Sequence, residues 1–225
     1  MDEELEQLYR AKWDALSKAI PRDCGMSTPL LAAVPTEYEN SKFRLLIIGK
    51  ETHSWLGDQS LSAPDPVDEL RKGYEHFARG RKWRSPFFQA ARKLQKCLNP
   101  DSDESGFMWL NLFICDQNKH LPEPEVAEEL RKVSFLREEV AILKPHAVVF
   151  FTGSGPNDKG PYDYTITHER YFPEAKFAPH SRWWSKVYND PGLPTKTART
   201  YHPNYLWHSK ERGVIDEIAV WITQA

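Results

Sequence analysis

Three short segments carry the side chains best suited to chemistry. Gly49-Lys50-Glu51-Thr52-His53-Ser54-Trp55 follows an apolar run and contains a carboxylate, Glu51, that could orient and deprotonate a water. Asn111 is the one polar side chain in the run Phe107–Cys115, and a buried amide needs partners for its donors and its acceptor. Such an amide can read a nucleobase. It can donate to O4 of uracil and accept from its N3–H, and cytosine presents the reverse pattern. His202 is followed by Pro203-Asn204, and the proline restricts the local backbone and thereby aims the imidazole. Placed in that way, the ring could stabilise negative charge on a departing group. A fourth segment, Gly153–Gly160, follows another apolar run. It lacks the G-x-x-x-x-G-K-[ST] order of a P-loop, which leaves a turn or a backbone approach to phosphate. Bland roles stay open for each residue: a glutamate can cap a helix, an asparagine can bond to nearby backbone, and a lone histidine can be structural.

The elements that would position these groups follow from periodicity. Leu5, Leu8, Trp13, Leu16 and Ile20 predict a helix over residues 2–20, ended by Pro21. Residues 25–42 read as loop. Phe43–Gly49, Phe107–Cys115 and Ala147–Gly153 are short apolar runs of the kind buried on both faces of a sheet. Helices are expected over 66–79, from the Ser85-Pro86 start through Leu98, over 124–143, and over 209–223. Ala198–Tyr201 is a possible short fourth strand, and 174–188 is ambiguous. Strands alternating with helices predict an α/β protein: a three-layer α/β/α sandwich around a central, mainly parallel four-stranded sheet. Ligands of such sheets bind beyond the C-terminal strand ends, where Glu51, Asn111, Gly153 and His202 fall.

Composition narrows the class. The 225 residues suit one domain, with residues 1–40 as an N-terminal helical extension. No apolar run is long enough to span a membrane, and the acidic start is unlike a secretory signal, so a cytoplasmic protein without membrane contact is expected. The three cysteines, Cys24, Cys97 and Cys115, are widely spaced, so neither a disulfide framework nor a metal site is expected. The net charge of −2 counts mildly against a dedicated nucleic-acid binder. Local basic stretches exist, however: Arg79, Arg81, Lys82, Arg84, Arg92, Lys93 and Lys96, and then Lys196, Arg199 and Lys210.

The order of the four segments resembles the uracil-DNA glycosylase superfamily over roughly residues 43–207. Gly49-Lys50-Glu51 resembles its first motif, Leu110-Asn111-Leu112 the strand whose asparagine reads uracil, and Val148–Ser154 the strand and turn before the final motif. Thr200-Tyr201-His202-Pro203-Asn204-Tyr205-Leu206 resembles the histidine-proline-serine-proline-leucine motif. The resemblance implies hydrolysis of the N-glycosidic bond of a flipped base, without a cofactor. Glu51 and His202 would be catalytic, and Gly49, Lys50, His53, Trp55 and Asn111 would bind the base. Ser154, Asn204, Tyr205 and Leu206 would contact DNA, with Leu206 at the wedge position. Trp55 and Trp83 are candidates to stack on a base. The sequence departs from the family at Thr52, where proline is usual, at His53, where the best-known members carry tyrosine, and at Asn204-Tyr205. The activating position usually holds aspartate, asparagine or alanine. These departures favour a catalytically inactive module that binds a nucleobase-containing ligand as the alternative.

Overall fold

A computed structural model describes residues 1–21, 24–53, 55–56, 61–79, 84–153 and 170–224. Ser154, the rest of the glycine-rich segment after it, Trp83, Arg81 and Lys82 lie outside the described residues. The elements, in chain order, begin with α1 (Asp2–Ala19), α2 (Thr36–Glu39), β1 (Leu45–Gly49), α3 (Pro66–Arg79), α4 (Pro86–Leu98) and β2 (Met108–Asn111). They continue with α5 (Pro124–Lys132), α6 (Leu136–Leu143), β3 (Ala147–Phe151), β4 (Lys176–Pro179), β5 (Trp184–Tyr188), β6 (Lys196–Thr200), α7 (Pro203–His208) and α8 (Val214–Thr223).

The chain forms two compact units. The first comprises Met1–Val34, Lys50–Gly80 and Leu110–Leu143; the second comprises Pro35–Gly49, Arg81–Trp109 and Lys144–Ala225. The expected α/β class holds, but the sheet differs from expectation. It is a mixed sheet of six strands in the order β2-β1-β3-β6-β5-β4 among the described residues. β1 pairs parallel with β3, and β3 parallel with β6. The additional strands come from 174–188, which forms the antiparallel hairpin β4–β5, with β5 antiparallel to β6. That hairpin has only Trp184, Ser185 and Val187 buried along its strands, so it lacks the continuous apolar run by which the other strands are recognised.

In the second unit, β1 and β3 are buried along their whole length. α4 packs against α7 and α8. It starts as expected, with Ser85 Oγ accepting from the Phe88 N–H at 3.5 Å and Pro86 in the first turn. The amide of Asn99, just past its end, bonds both ways with the Phe43 backbone, at 3.0 and 2.8 Å, tying the helix end to the start of β1.

In the first unit, α1 packs against α3, α5 and α6, so the first thirty-four residues are built into that unit. Acidic residues at the α1 N-terminus complement the helix dipole. They also hold α3: the nearly buried Arg71 meets Asp2 at 2.6 Å and Glu6 at 2.7 Å. The single helix expected over 124–143 is instead α5 and α6. Ser134 breaks it, because its hydroxyl accepts the Leu136 N–H at 3.3 Å and offers the backbone an alternative to continuing the helix.

A buried polar pair joins α1 to α6. The Tyr9 hydroxyl donates to Glu139 at 2.6 Å and accepts from the Ala32 N–H at 3.1 Å, while the Tyr9 ring lies 5.1 Å from that of Phe135. Burial pushes the Glu139 carboxyl from 4.5 up to about 8, against the opposing effect of the Tyr9 bond. The native state therefore keeps a proton that the unfolded chain releases, and stability falls as pH rises from about 4.5 to about 8. In Glu139→Gln this fall, expected to be on the order of a few kcal/mol, disappears. Urea midpoints of the two proteins between pH 5 and pH 8 check it; parallel pH profiles would refute the assignment.

Candidate functional site

The first unit holds Lys50, Glu51, His53, Trp55 and Asn111; the second holds Gly49, His202, Asn204, Tyr205 and Leu206.

In the first unit, the chain leaving β1 is anchored by its backbone: the Phe113 N–H donates to the Lys50 carbonyl at 2.9 Å. Glu51 is half-buried and His53 exposed, whereas Asn111 is buried as the last residue of β2. Trp55 is buried, with its ring edge-on to Phe77 at 5.0 Å and its carbonyl accepting from the Thr28 hydroxyl at 2.8 Å. These contacts place the indole in packing rather than on an open face.

Thr52, standing where proline is usual in the resembled motif, has a defined role. Its hydroxyl donates to Asp116 Oδ2 at 2.7 Å and lies 2.9 Å from Ser27 Oγ. Since Thr52 has one proton and spends it on the carboxylate, Ser27 is the donor to Thr52. Ser27 Oγ in turn accepts from the Asp116 N–H at 2.9 Å, which closes a ring from the Asp116 backbone to its own carboxylate. The other carboxylate oxygen accepts from the Lys119 N–H at 2.8 Å. All three side chains are buried. A proline at position 52 could not complete this ring.

Beside the ring lies an open cavity of about 480 Å³ lined by Gly25, Met26, Leu56, Asp116, Asn118 and Lys119, among others. Its volume falls in the range of small-molecule sites. Leu56, Asn118 and Lys119 have φ of 39°, 52° and 68°, in the left-handed region. Gly25 shares that conformation, at 75°, and a Cβ there would come within 2.2 Å of the Asn118 side chain. Such backbone persists only where surrounding bonds hold it; here the Asn118 N–H donates to the Gly25 carbonyl at 2.8 Å. Asp116, Ser27 and the cavity were absent from the sequence expectation. The available signal was Asp116 itself, the first charged residue after the second apolar run.

In the second unit, the parallel strands bring Gly49, Phe151 and Thr200 to one sheet edge, and the Gly153 N–H donates to the Thr200 carbonyl at 2.9 Å. Gly153 has φ of 112°, which favours glycine at this turn. Two residues beyond β6, His202 caps α7: its Nδ1 accepts from the Asn204 N–H at 3.2 Å. With Nδ1 as acceptor, the neutral ring carries its proton on Nε2. The imidazole lies 5.8 Å from the Phe87 ring, and Phe87 is edge-on to Phe151 at 5.4 Å, so an aromatic wall supports it.

Two expected DNA-contact residues diverge. Leu206 is fully buried, so it serves the core of this unit and is not exposed as a wedge; Tyr205, its neighbour, is 52 % exposed. The three cations of the basic stretch that lie on α4 are engaged: Arg92 with Glu104 at 3.5 Å, Lys93 with Asp216 at 2.6 Å, and Lys96 with the Pro100 carbonyl. Arg199 is buried beside the Phe177 ring, and Lys196 bonds to the Gln224 carbonyl. Among the described residues, no cluster of three or more His, Cys, Asp or Glu could hold a metal, and no helix is long and apolar enough to cross a membrane.

The ring around Asp116 makes a quantitative expectation. Asp116→Ala leaves the buried Thr52 hydroxyl and the part-buried Lys119 N–H without these acceptors, and should cost about 2–4 kcal/mol in a urea melt. Thr52→Val, which removes one donor and keeps the shape, should cost less; equal losses would show that the carboxylate is not the hub. Comparison with known families, curated proteins and solved structures finds no match to the chain.

Proposed function

We propose that the chain is a cytoplasmic DNA glycosylase of the uracil-DNA glycosylase type, hydrolysing the N-glycosidic bond of uracil or another deaminated base. A three-layer α/β/α arrangement around the sheet belongs to the same reading. The observation that carries it is the His202 cap. Asn204 N–H on Nδ1 fixes an Nε2–H tautomer immediately after a parallel strand, the form required to donate toward an oxygen that gains charge.

In this reaction the bond between the base nitrogen and C1′ of the deoxyribose breaks, and its electron pair leaves on the base. A water oxygen bonds to C1′. Nε2–H of His202 stabilises the departing anion; the roles of orienting the water and taking its proton, and of reading the base edge, are those the sequence resemblance implies for Glu51 and Asn111. Neither metal nor cofactor is called for. Gly49 and Lys50 contribute the backbone of the turn after β1.

A second reading, a nucleobase- or nucleotide-binding module without chemistry, is favoured by one observation: the 480 Å³ cavity lined by Asp116, Asn118 and Lys119 in the first unit.

Oligonucleotides carrying uracil, hypoxanthine or xanthine, incubated with the protein and cleaved at abasic sites, test the proposal. Active wild type should lose roughly 10²–10³ in single-turnover rate on His202→Ala. Glu51→Gln should also slow turnover, and Asn111→Ala should relax discrimination between bases as well as rate. All three should keep a cooperative melt. No excision from any of these substrates, together with saturable binding of a free base or nucleotide, would replace the first reading with the second.

A further inference from the structure

The second unit presents an aromatic cluster for which the excision chemistry has no use. Tyr201 and Tyr205 lie 4.9 Å apart with a 35° interplanar angle. Trp183, at the turn between β4 and β5, is 5.7 Å from Tyr201 and 6.3 Å from Tyr205. The Arg182 guanidinium sits 4.4 Å over the Trp183 ring, with its side chain 77 % exposed. Tyr205 is half exposed, and Trp183 and Tyr201 are partly exposed.

The turn that carries Trp183 is fixed by backbone and side-chain bonds. The N–H groups of His180 and Ser181 both donate to the Trp184 carbonyl at 3.1 Å, the Trp183 N–H donates to Ser181 Oγ at 3.1 Å, and the Thr200 hydroxyl donates to the Trp183 carbonyl at 2.8 Å. Rigid rings lose little entropy on binding. Three neighbouring rings, tilted 71°, 52° and 35° to one another, and a guanidinium over the Trp183 ring bring aromatic surface and positive charge together. This is the combination that receives unpaired bases and their phosphates. His180, in the same turn, is also exposed. An opposing acid, Glu211, stands 4.0 Å from Arg182.

We propose that Trp183, Tyr201 and Tyr205, with Arg182, form a stacking platform for unpaired bases of a single DNA strand. The inference rests on the nucleic-acid reading above and deepens it by assigning strand preference. Two facts favour a single strand over a duplex. Stacking needs bases released from pairing, and a chain of net charge −2 whose α4 cations are already engaged has little to offer a duplex backbone. Tyr201 directly precedes His202, so a strand seated on the platform is led to the imidazole.

The test is fluorescence anisotropy with labelled oligothymidylate and with a duplex of equal length at the same salt concentration. The wild type should bind the single strand more tightly than the duplex. Trp183→Ala and Tyr205→Ala should each weaken it roughly five- to a hundredfold, and the phenylalanine variants should retain most of the binding. Tyr188→Ala, an exposed tyrosine on β5, should leave it unchanged. Tyr205→Ala keeps the test sound if Trp183→Ala fails to fold, since Tyr205 is half exposed. Unchanged binding in Tyr205→Ala, or a duplex bound as tightly as the strand, would overturn the inference. Oligothymidylate contains no uracil, so this result is separate from excision: excision without strand binding would sink the platform alone, and strand binding without excision would sink the glycosylase alone.

Discussion

The parallel pairing of β1, β3 and β6 is the constraint on which the second unit depends. β1 and β3 are apolar and fully buried, so each must be covered on both faces, and parallel pairing achieves this only with long connections between them. Those connections leave the sheet at one edge. Gly49, Phe151 and Thr200 are brought together there because of the pairing and not because of any attraction between the residues that follow. The cap at His202, the turn at Gly153 and the aromatic wall of Phe87 and Phe151 are consequences of that register.

The first unit is organised by a different physics. It places two carboxylates, Asp116 and Glu139, in nearly complete burial and satisfies them in contrasting ways. Asp116 accepts from a hydroxyl and a backbone N–H, its ring closing through Ser27 and Thr52. Glu139 has the Tyr9 hydroxyl as its close partner, and burial dominates, raising its carboxyl to about 8. A polar group in a core is tolerated only when its bonds are made.

The departures from the resembled motifs acquire physical content in this structure. Thr52 is a donor in a buried ring, and a hydroxyl is what that ring needs. Leu206 is turned into the core by α7, which leaves Tyr205 as the exposed side chain of the segment, next to Tyr201 and Trp183. The surface beside His202 is thus aromatic where the family pattern implies a protruding aliphatic wedge.

Elements with strong local signals were legible in the sequence. α1, α3 and α4 follow from helical apolar spacing, from Pro21 and from the Ser85-Pro86 start; β1 and β3 follow from apolar runs whose burial on both faces erases alternation. The placement of Gly49 follows from the first of these runs, and that of His202 from the short strand read over Ala198–Tyr201. Tertiary structure decided what local pattern does not encode. The β4–β5 hairpin is held by its pairing with β6 rather than by its own composition. The break at Ser134 depends on a hydroxyl choosing a backbone N–H over solvent, which periodicity does not record. Tyr9 and Glu139 are 130 positions apart, and Ser27, Thr52 and Asp116 come from three separate segments, so their bonds exist only once the chain has folded. The Trp183–Tyr201–Tyr205 cluster has the same origin, because antiparallel pairing of β5 with β6 sets Trp184 opposite Thr200 and thereby carries the preceding tryptophan to the two tyrosines.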